Sequence, residues 1–344
     1  MKKRLLTGLL CASMLVMSIT GCGVDASQQT TADTAGSETE EQTVDEAPEK
    51  YTVGVVQLVQ HPALDQATEG FQDALRDKLG DQVEFDVQNA SGDSANCNTI
   101  VNGFVSSEYD LIMANATPAL QAAVSGTTTI PVVGTSVTDY AVALDIATED
   151  WTGATGSNAT GVSDLAPLDQ QAAMMKELFP DAKKVGILYC SAEANSKYQA
   201  QVMTEELEKL GYTATSFTFS DTNDVATVTQ TACADSDVIY IPTDNTAASC
   251  AELIGGVVVP AGVPVLAGEE GICKACGVAT LTISYYDVGY LAGEMAYEIL
   301  VNKADPATMN IKYVDEVKKE YNATLAETFG VEIPSDYAAI KTEE

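Results

Sequence analysis

Short polar and acidic residues recur in this sequence directly after β-branched, apolar runs. Gln60-His61-Pro62-Ala63-Leu64-Asp65 follows the first run, Asn115-Ala116-Thr117-Pro118 the third, and Thr135-Ser136 the fourth. In the second half the same places carry Ser191, Glu193, Asn195 and Ser196, then Thr243-Asp244-Asn245, then Gly268-Glu269-Glu270. Such groups suit recognition of a small polar molecule. Thr117 before Pro118 has the form of a helix start, with a hydroxyl at the N-cap and Pro at N1. That hydroxyl and the N–H groups behind it either cap the helix or bind a carboxylate. Asp244-Asn245 has the same two readings, as an N-cap or, aided by Glu193 or Glu269, as the partner of an ammonium. A zwitterion fits this set without any arginine.

Other chemistries find little material. The only arginine after Arg4 is Arg76, in a stretch whose apolar stripe (Leu64, Ala67, Phe71, Ala74, Leu75) leaves it facing solvent. A phosphate or polycarboxylate site normally recruits guanidinium forks. His61 is the only histidine, so any Ser-His-Asp or Cys-His arrangement would have to use it. No Gly-x-Ser-x-Gly occurs, no phosphate-cradling Gly-rich loop with a lysine, and no histidine cluster for a metal. An acid pair for a hydrolase remains as an alternative. The formal charge of −33 and the pI near 4.1 argue against nucleic acid and anionic lipid surfaces as partners. Binding without a cofactor or metal is the function these residues suit, not catalysis.

The elements that must position these groups alternate strand-like and helical patterns, which implies βαβ units and parallel sheets. Tyr51–Val59, Val83–Val87, Leu111–Ala114 and Ile130–Gly134 read as strands, with helices over Pro62–Leu79, around Ile100–Val105 and over Thr117–Val124. After a polar segment, Trp151–Ser163, the series restarts with strands at Lys184–Tyr189, Thr213–Phe219, Val238–Ile241 and Val263–Ala267. Helices are expected over Ser196–Leu210, Asp224–Ala234 and Asn245–Ile254. The expected fold class is α/β: two doubly wound parallel-sheet lobes with an interlobe cleft, where the strand-end residues meet. Lobe 1 is assigned residues 51–163 plus about 281–304, and lobe 2 residues 164–280 plus about 305–344. Val278–Leu300 is expected to cross back to the first lobe and Ile311–Val314 to return to the second.

The N-terminus reads as an export signal over residues 1–22. Lys2, Lys3 and Arg4 precede an apolar stretch, Leu5–Met17, too short to span a bilayer. Ile19-Thr20-Gly21-Cys22 has the form of a lipobox, which makes Cys22 the lipidation site; an ordinary secretory signal is the other reading. Lipid there would anchor the protein to the outside of the cell membrane. Residues 23–50, polar and acidic, read as a disordered tether, or a pro-segment. Six cysteines remain in the domain, and their connectivity does not follow from sequence. Cys273-Lys274-Ala275-Cys276 lacks further ligands for a zinc site, and reads as loop thiols or a local disulfide.

Several of these motifs resemble the ABC-transporter substrate-binding lipoproteins of the tryptophan and aromatic amino acid-binding family. The matching residues are Val55–Val59 with His61–Asp65, Gly70-Phe71, Asn89-Ala90, Asp110–Ile112 with Thr117–Ala119, and Pro131–Val133. Asn158–Ser163, Glu193–Ser196, Pro242–Asn245 and Tyr285–Gly289 continue the match in order. The resemblance implies a type I periplasmic-binding fold, two lobes joined by three crossings that close over one ligand, with permease and ATPase subunits as partners. It also implies Thr117, Ser191, Asn195, Asp244 and Asn245 as contacts to an amino-acid backbone, and His61, Leu64 and Pro118 for the side chain. The preference for an aromatic ligand comes from the resemblance alone. Two departures lie near the expected cleft: Asp139-Tyr140 where the family usually has Asp-Pro, and Cys190-Ser191-Ala192-Glu193 where it usually has Asn-Pro before the Ser-Glu run. The same fold would also serve a membrane sensor.

Overall fold

Central strands rich in Val, Ile and Ala are buried on both faces of two sheets in the computed structural model, which describes residues 50–341. The export signal, Cys22 and the tether up to residue 49 lie outside the described residues. The first half runs β1 (Tyr51–Gln57), α1 (Pro62–Leu79), β2 (Val83–Asn89), α2 (Ser94–Ser106), β3 (Leu111–Asn115), α3 (Thr117–Gly126), β4 (Val132–Val137), α4 (Tyr140–Ala143) and β5 (Ala159–Ser163). The second runs α5 (Leu168–Leu178), β6 (Lys184–Cys190), α6 (Ala194–Lys209), β7 (Thr213–Phe219), α7 (Val225–Asp235), β8 (Val238–Ile241), α8 (Asn245–Ser249), α9 (Ala251–Ala261), β9 (Val265–Ala267), α10 (Glu270–Cys276) and β10 (Ala279–Ile283). The chain ends with α11 (Tyr285–Leu300), β11 (Lys312–Tyr313), β12 (Val317–Tyr321), α12 (Ala323–Phe329) and β13 (Ala338–Ala339).

The first sheet has the order β11-β5-β4-β3-β1-β2, and the second β13-β12-β10-β9-β8-β6-β7. Pairing is parallel throughout except where β12 runs antiparallel to β10. Each order reverses beside its first strand, at β1/β3 and at β6/β8, and such switch points open a crevice at the strands' carboxyl ends. Helices cover both faces of each sheet, giving each lobe its own apolar layers.

Three crossings connect the lobes: residues 164–167 after β5, Ser284 before α11, and residues 314–316 after β11. Two of these differ from expectation. The polar segment ending at Ser163 contains a strand, β5, buried along its whole length because Ala159-Thr160-Gly161-Val162-Ser163 is small enough to sit between covering helices. The late strand β10 stays in the second sheet while α11 packs on the first lobe. Ile311–Val314 does not return to lobe 2: Lys312 and Tyr313 pair with Val162 and Ser163 of β5. The return crossing therefore falls after Tyr313 and not near residue 305. Asn245–Ile254 breaks into two helices at Cys250.

Helix α1, whose first turn faces the cleft, begins at Pro62 after extended His61 and buries Leu64, Ala67, Phe71 and Leu75. Full burial of each large apolar side chain contributes about 1.5–3 kcal/mol. Its outer side meets α11 backbone to backbone. A Cβ at Gly289 would overlap the Ala67 carbonyl, and one at Gly293 would lie 2.6 Å from the Phe71 oxygen. This close approach fixes where the first turn of α1 points. Gly289→Ala is expected to lower stability by about 3 kcal/mol, measured by urea unfolding; an unchanged midpoint would show that the helices have room to separate.

Candidate functional site

Strand ends from both lobes converge on one cleft. The first lobe brings His61 and Leu64 after β1, Pro118 after β3 and Ser136 at the end of β4. The second brings Glu193 and Asn195 after β6, Thr243, Asp244 and Asn245 after β8, and Glu269 after β9. Asp164 and Tyr285, from the first two crossings, complete the wall. Three non-glycine residues here hold positive φ: Ser91 at 56°, Ala116 at 95° and Ser136 at 53°. Such conformations cost of order 1–3 kcal/mol each and persist only where surrounding structure enforces them.

The cleft has two compartments that share Asn245. The inner one, lined by His61, Leu64, Ser136, Asp164, Asn195 and Glu269 among others, has about 10 Å³, the room of one water. The outer one has about 260 Å³, with Leu58, Val59 and Pro118 as apolar walls and Asp93, Glu193 and Asp221 as acidic ones. Direct bonds span the lobes: His61 Nε2 lies 3.3 Å from Asn245 Oδ1, and Gln199 Nε2 donates to Thr138 Oγ1 at 3.3 Å.

Four buried carboxyls face this region, and neither compartment is lined by lysine or arginine. Glu193 accepts from the Asn245 and Thr246 N–H groups at 3.1 and 2.9 Å, and from the Asn245 amide at 2.6 Å. Asp244 caps α8 through the Ala247 N–H at 2.7 Å and accepts the Cys190 N–H at 2.6 Å. Glu269 caps α10 through the N–H groups of Gly271 and Ile272. Asp164 accepts the Tyr285 hydroxyl at 3.0 Å. Burial pushes Asp164 up to about 6, against the hydrogen bonds from Tyr285 and Thr138. Burial, reinforced by the Glu193 charge, pushes Asp244 up to about 7. Burial likewise pushes Glu269 up to about 7, against its two backbone N–H donors.

Burial lowers His61 below the ordinary histidine value, opposed by its Asn245 hydrogen bond and by Glu193 and Asp65. The imidazole is therefore neutral at neutral pH. Asn245 donates its NH₂ to Glu193, so its oxygen faces His61. The His61 proton then sits on Nε2, and Nδ1 is left as an acceptor. Nδ1 has no partner, nor do Ser136 Oγ, Asp164 Oδ1, Asn195 Oδ1 and Thr243 Oγ1, all buried and all from residues of the inner compartment. Buried polar atoms are ordinarily satisfied, so a group of five in one chamber requires an explanation. Among the described residues no cluster of His, Cys, Asp or Glu is arranged to hold a metal ion.

The family model for ABC transporter substrate binding proteins matches residues 52–343. The chain belongs to that family. It is 33% identical to a tyrosine-binding protein from Clostridioides difficile (strain R20291) over 305 residues, covering 88% of this chain and 85% of that one. Among solved structures it is similar to a domain from Streptococcus pneumonia in complex with L-Trp, with TM-score 0.79 and 32% identity over 83% of this chain and 97% of that one. A ligand-free, open substrate-binding protein with adhesive properties from Clostridium difficile gives TM-score 0.63 at 31% identity, over 85% and 100% of the two chains. The lower score against the open relative agrees with the direct bonds between the lobes here.

In this substrate-binding protein the expected site residues divide. His61, Leu64, Ser136, Asn195, Asp244, Asn245 and Glu269 line the inner compartment, and Pro118, Glu193 and Asn245 the outer. Four others point elsewhere. Thr135 turns its hydroxyl to Met113 Sδ, because alternation along β4 puts it opposite Ser136. Asp65 binds the Gln57 amide on the outer side of α1. Ser191 donates to the Phe219 carbonyl, and Ser196 supports Asp244 from behind. Thr117 is the first helical residue of α3 and not its N-cap, which is Ala116; its hydroxyl is buried without a partner.

Sequence reasoning missed Asp164 and Tyr285. Asp164 directly follows β5 and would have been found by the strand-end rule had that segment read as a strand. Of the two family departures, Tyr140 is structural: it packs beneath Gly134 and Gly161 and donates to the Val162 carbonyl at 3.2 Å. Cys190 lines the outer compartment. Cys273 and Cys276 are buried free thiols within α10, not in a loop.

The raised carboxyls make a pH prediction. A carboxyl whose folded value lies above its unfolded one stabilises the fold at low pH, and that contribution is lost as pH rises through the folded value. For Asp164, Asp244 and Glu269 the loss falls between about pH 4 and pH 7. The unliganded domain is expected to melt at a higher temperature at pH 5 than at pH 8. A profile rising with pH would show that these groups are charged and paired in the folded state.

Proposed function

We propose that this protein captures an aromatic amino acid in the interlobe cleft and delivers it to the permease and ATPase of an ABC importer. The observation that carries the reading is the set of buried, unpartnered polar atoms contributed by both lobes to one chamber. His61 Nδ1, Asn195 Oδ1 and Asp164 Oδ1 are acceptors, suited to an ammonium, and Ser136 and Thr243 offer hydroxyls; Thr117, outside both compartments, also has a buried hydroxyl without a partner. The buried acids divide the charges. In lobe 2, Asp244 and Glu269 cap α8 and α10 and Glu193 stands before α6, whereas α1 and α3 of lobe 1 start without a side-chain cap and with no buried acid at the start. The ligand carboxylate belongs on the lobe 1 side, where helix N–H groups and the Thr117 hydroxyl remain available. Leu58, Val59 and Pro118 in the outer compartment suit an aromatic ring. The aromatic preference is further supported by the tyrosine and L-Trp of the relatives. Entry requires the lobes to part, and contacts to both lobes then stabilise the closed form.

Lipid on Cys22 would hold the protein outside the membrane, and no described helix is long and apolar enough to cross it. Cys22→Ser is expected to move the protein from the membrane fraction to the medium; continued membrane retention would refute the anchor.

Thermal shift of the domain against all proteinogenic amino acids, sugars and nucleosides tests the ligand class. A true ligand at a hundredfold excess over Kd stabilises by about 2.7 kcal/mol. Shifts are expected with tryptophan, tyrosine or phenylalanine, and none with any amino acid would overturn the assignment. Thr117→Val, which removes only the hydroxyl, is expected to weaken binding about tenfold, the equivalent of one hydrogen bond.

A further inference from the structure

Three of the four buried carboxyls in the cleft are committed to the protein's own backbone. Glu193 holds the first N–H groups of α8, Asp244 holds the Ala247 and Cys190 N–H groups, and Glu269 holds those of Gly271 and Ile272. Asp164 differs. Its Oδ2 accepts the Tyr285 hydroxyl, while Oδ1 is buried and has no partner in hydrogen-bond geometry. The nearby Thr138 hydroxyl favours the charged carboxyl but leaves Oδ1 unsatisfied. Residue 164 is 4% exposed and lines the inner chamber together with Asn195 and His61, whose free atoms are also acceptors. Three acceptors face one chamber that no lysine or arginine lines. A primary ammonium brings a positive charge and three N–H donors, the complement of this set.

We propose that Asp164, and not Asp244, is the residue that takes the ammonium of the ligand, and that it makes the cleft selective for primary amines. This rests on the amino-acid reading above and names the residue that enforces it. The placement adds a consequence. Asp164 opens the first crossing between the lobes, and its partner Tyr285 opens α11 just after the second. An ammonium bound to Oδ1 therefore acts at the joint of two crossings, so that ligand charge is read where the lobes hinge.

The test compares L-tyrosine and L-tryptophan with their deaminated analogues, 3-(4-hydroxyphenyl)propionate and indole-3-propionate, by calorimetry on the unaltered protein and on Asp164→Asn. Asparagine keeps an acceptor for Tyr285 and removes the charge. The variant is expected to bind the amino acids about 10- to 100-fold more weakly. Its affinity for the deaminated analogues should be unchanged, so the amine preference collapses by the same factor. Its melting temperature without ligand should equal or exceed that of the parent, because a buried, unpaired acid has been neutralised. Asp164→Ser, a truncation, must give the same loss of preference. An unchanged preference in either folded variant overturns the proposal, as does an equal loss for both classes of compound. Failure of both variants to fold also overturns it, since that would make Asp164 a structural residue. No binding of any amino acid by the unaltered protein overturns the amino-acid reading and this one together. Amino-acid binding with an unchanged preference in the variants removes the Asp164 assignment alone.

Discussion

Helix starts that point into a cleft present N–H groups that need partners, and at α8 and α10 of the second lobe the protein's own acids satisfy them. Glu193 and Asp244 organise the start of α8, and Glu269 that of α10. Much of the site follows from this arrangement. Asn245 is fixed by its bond to Glu193, so its oxygen faces His61, and that sets the histidine tautomer. With no cation lining the cleft to pair these acids, burial dominates their proton affinity. The same acids that hold the fold together make the cleft hostile to an anionic ligand, unless its negative end is kept to the first lobe.

The first lobe solves the opposite problem. Its helices α1 and α3 enter the cleft without side-chain caps, and Ala116 and Ser136 adopt left-handed backbone beside them. Strain of that kind needs a rigid frame. The glycine-mediated contact of α1 with α11 supplies part of it, and a buried network supplies more: Thr68 donates to Gln57, while Asn115 donates to Thr68 and to the Leu64 carbonyl. Three of the four buried carboxyls belong to the second lobe, so the cleft is more acidic on that side.

The lobes communicate through few groups. Gln199 reaches Thr138 across the cleft and also holds both backbone groups of Thr243, whose hydroxyl lines the inner chamber. Asp164 and Tyr285 tie the first two crossings to each other. The free acceptors of the site belong to both lobes, so a hinge motion would separate them. A ligand that contacts both lobes would favour the arrangement in which they meet.

The local pattern was enough to establish the βαβ alternation, the start of α1 at Pro62 and that of α3 at Thr117-Pro118, because periodicity and Pro chemistry act over a few residues. It also established the scarcity of cations, which any ligand site in this chain must accommodate. Strand β5 and the pairing of β11 with it were not legible. A strand of small residues buried between helices has no amphipathic period, and a two-residue strand gains its identity only from its neighbour. Which side of a strand a residue faces is a tertiary matter too: Thr135 and Ser136 are equivalent in sequence, yet one meets Met113 and the other the cleft. The roles of the acids were decided last of all. Asp164 and Asp244 have the same side chain, and only the positions of distant N–H groups determine that one is satisfied by the protein while the other keeps an oxygen free.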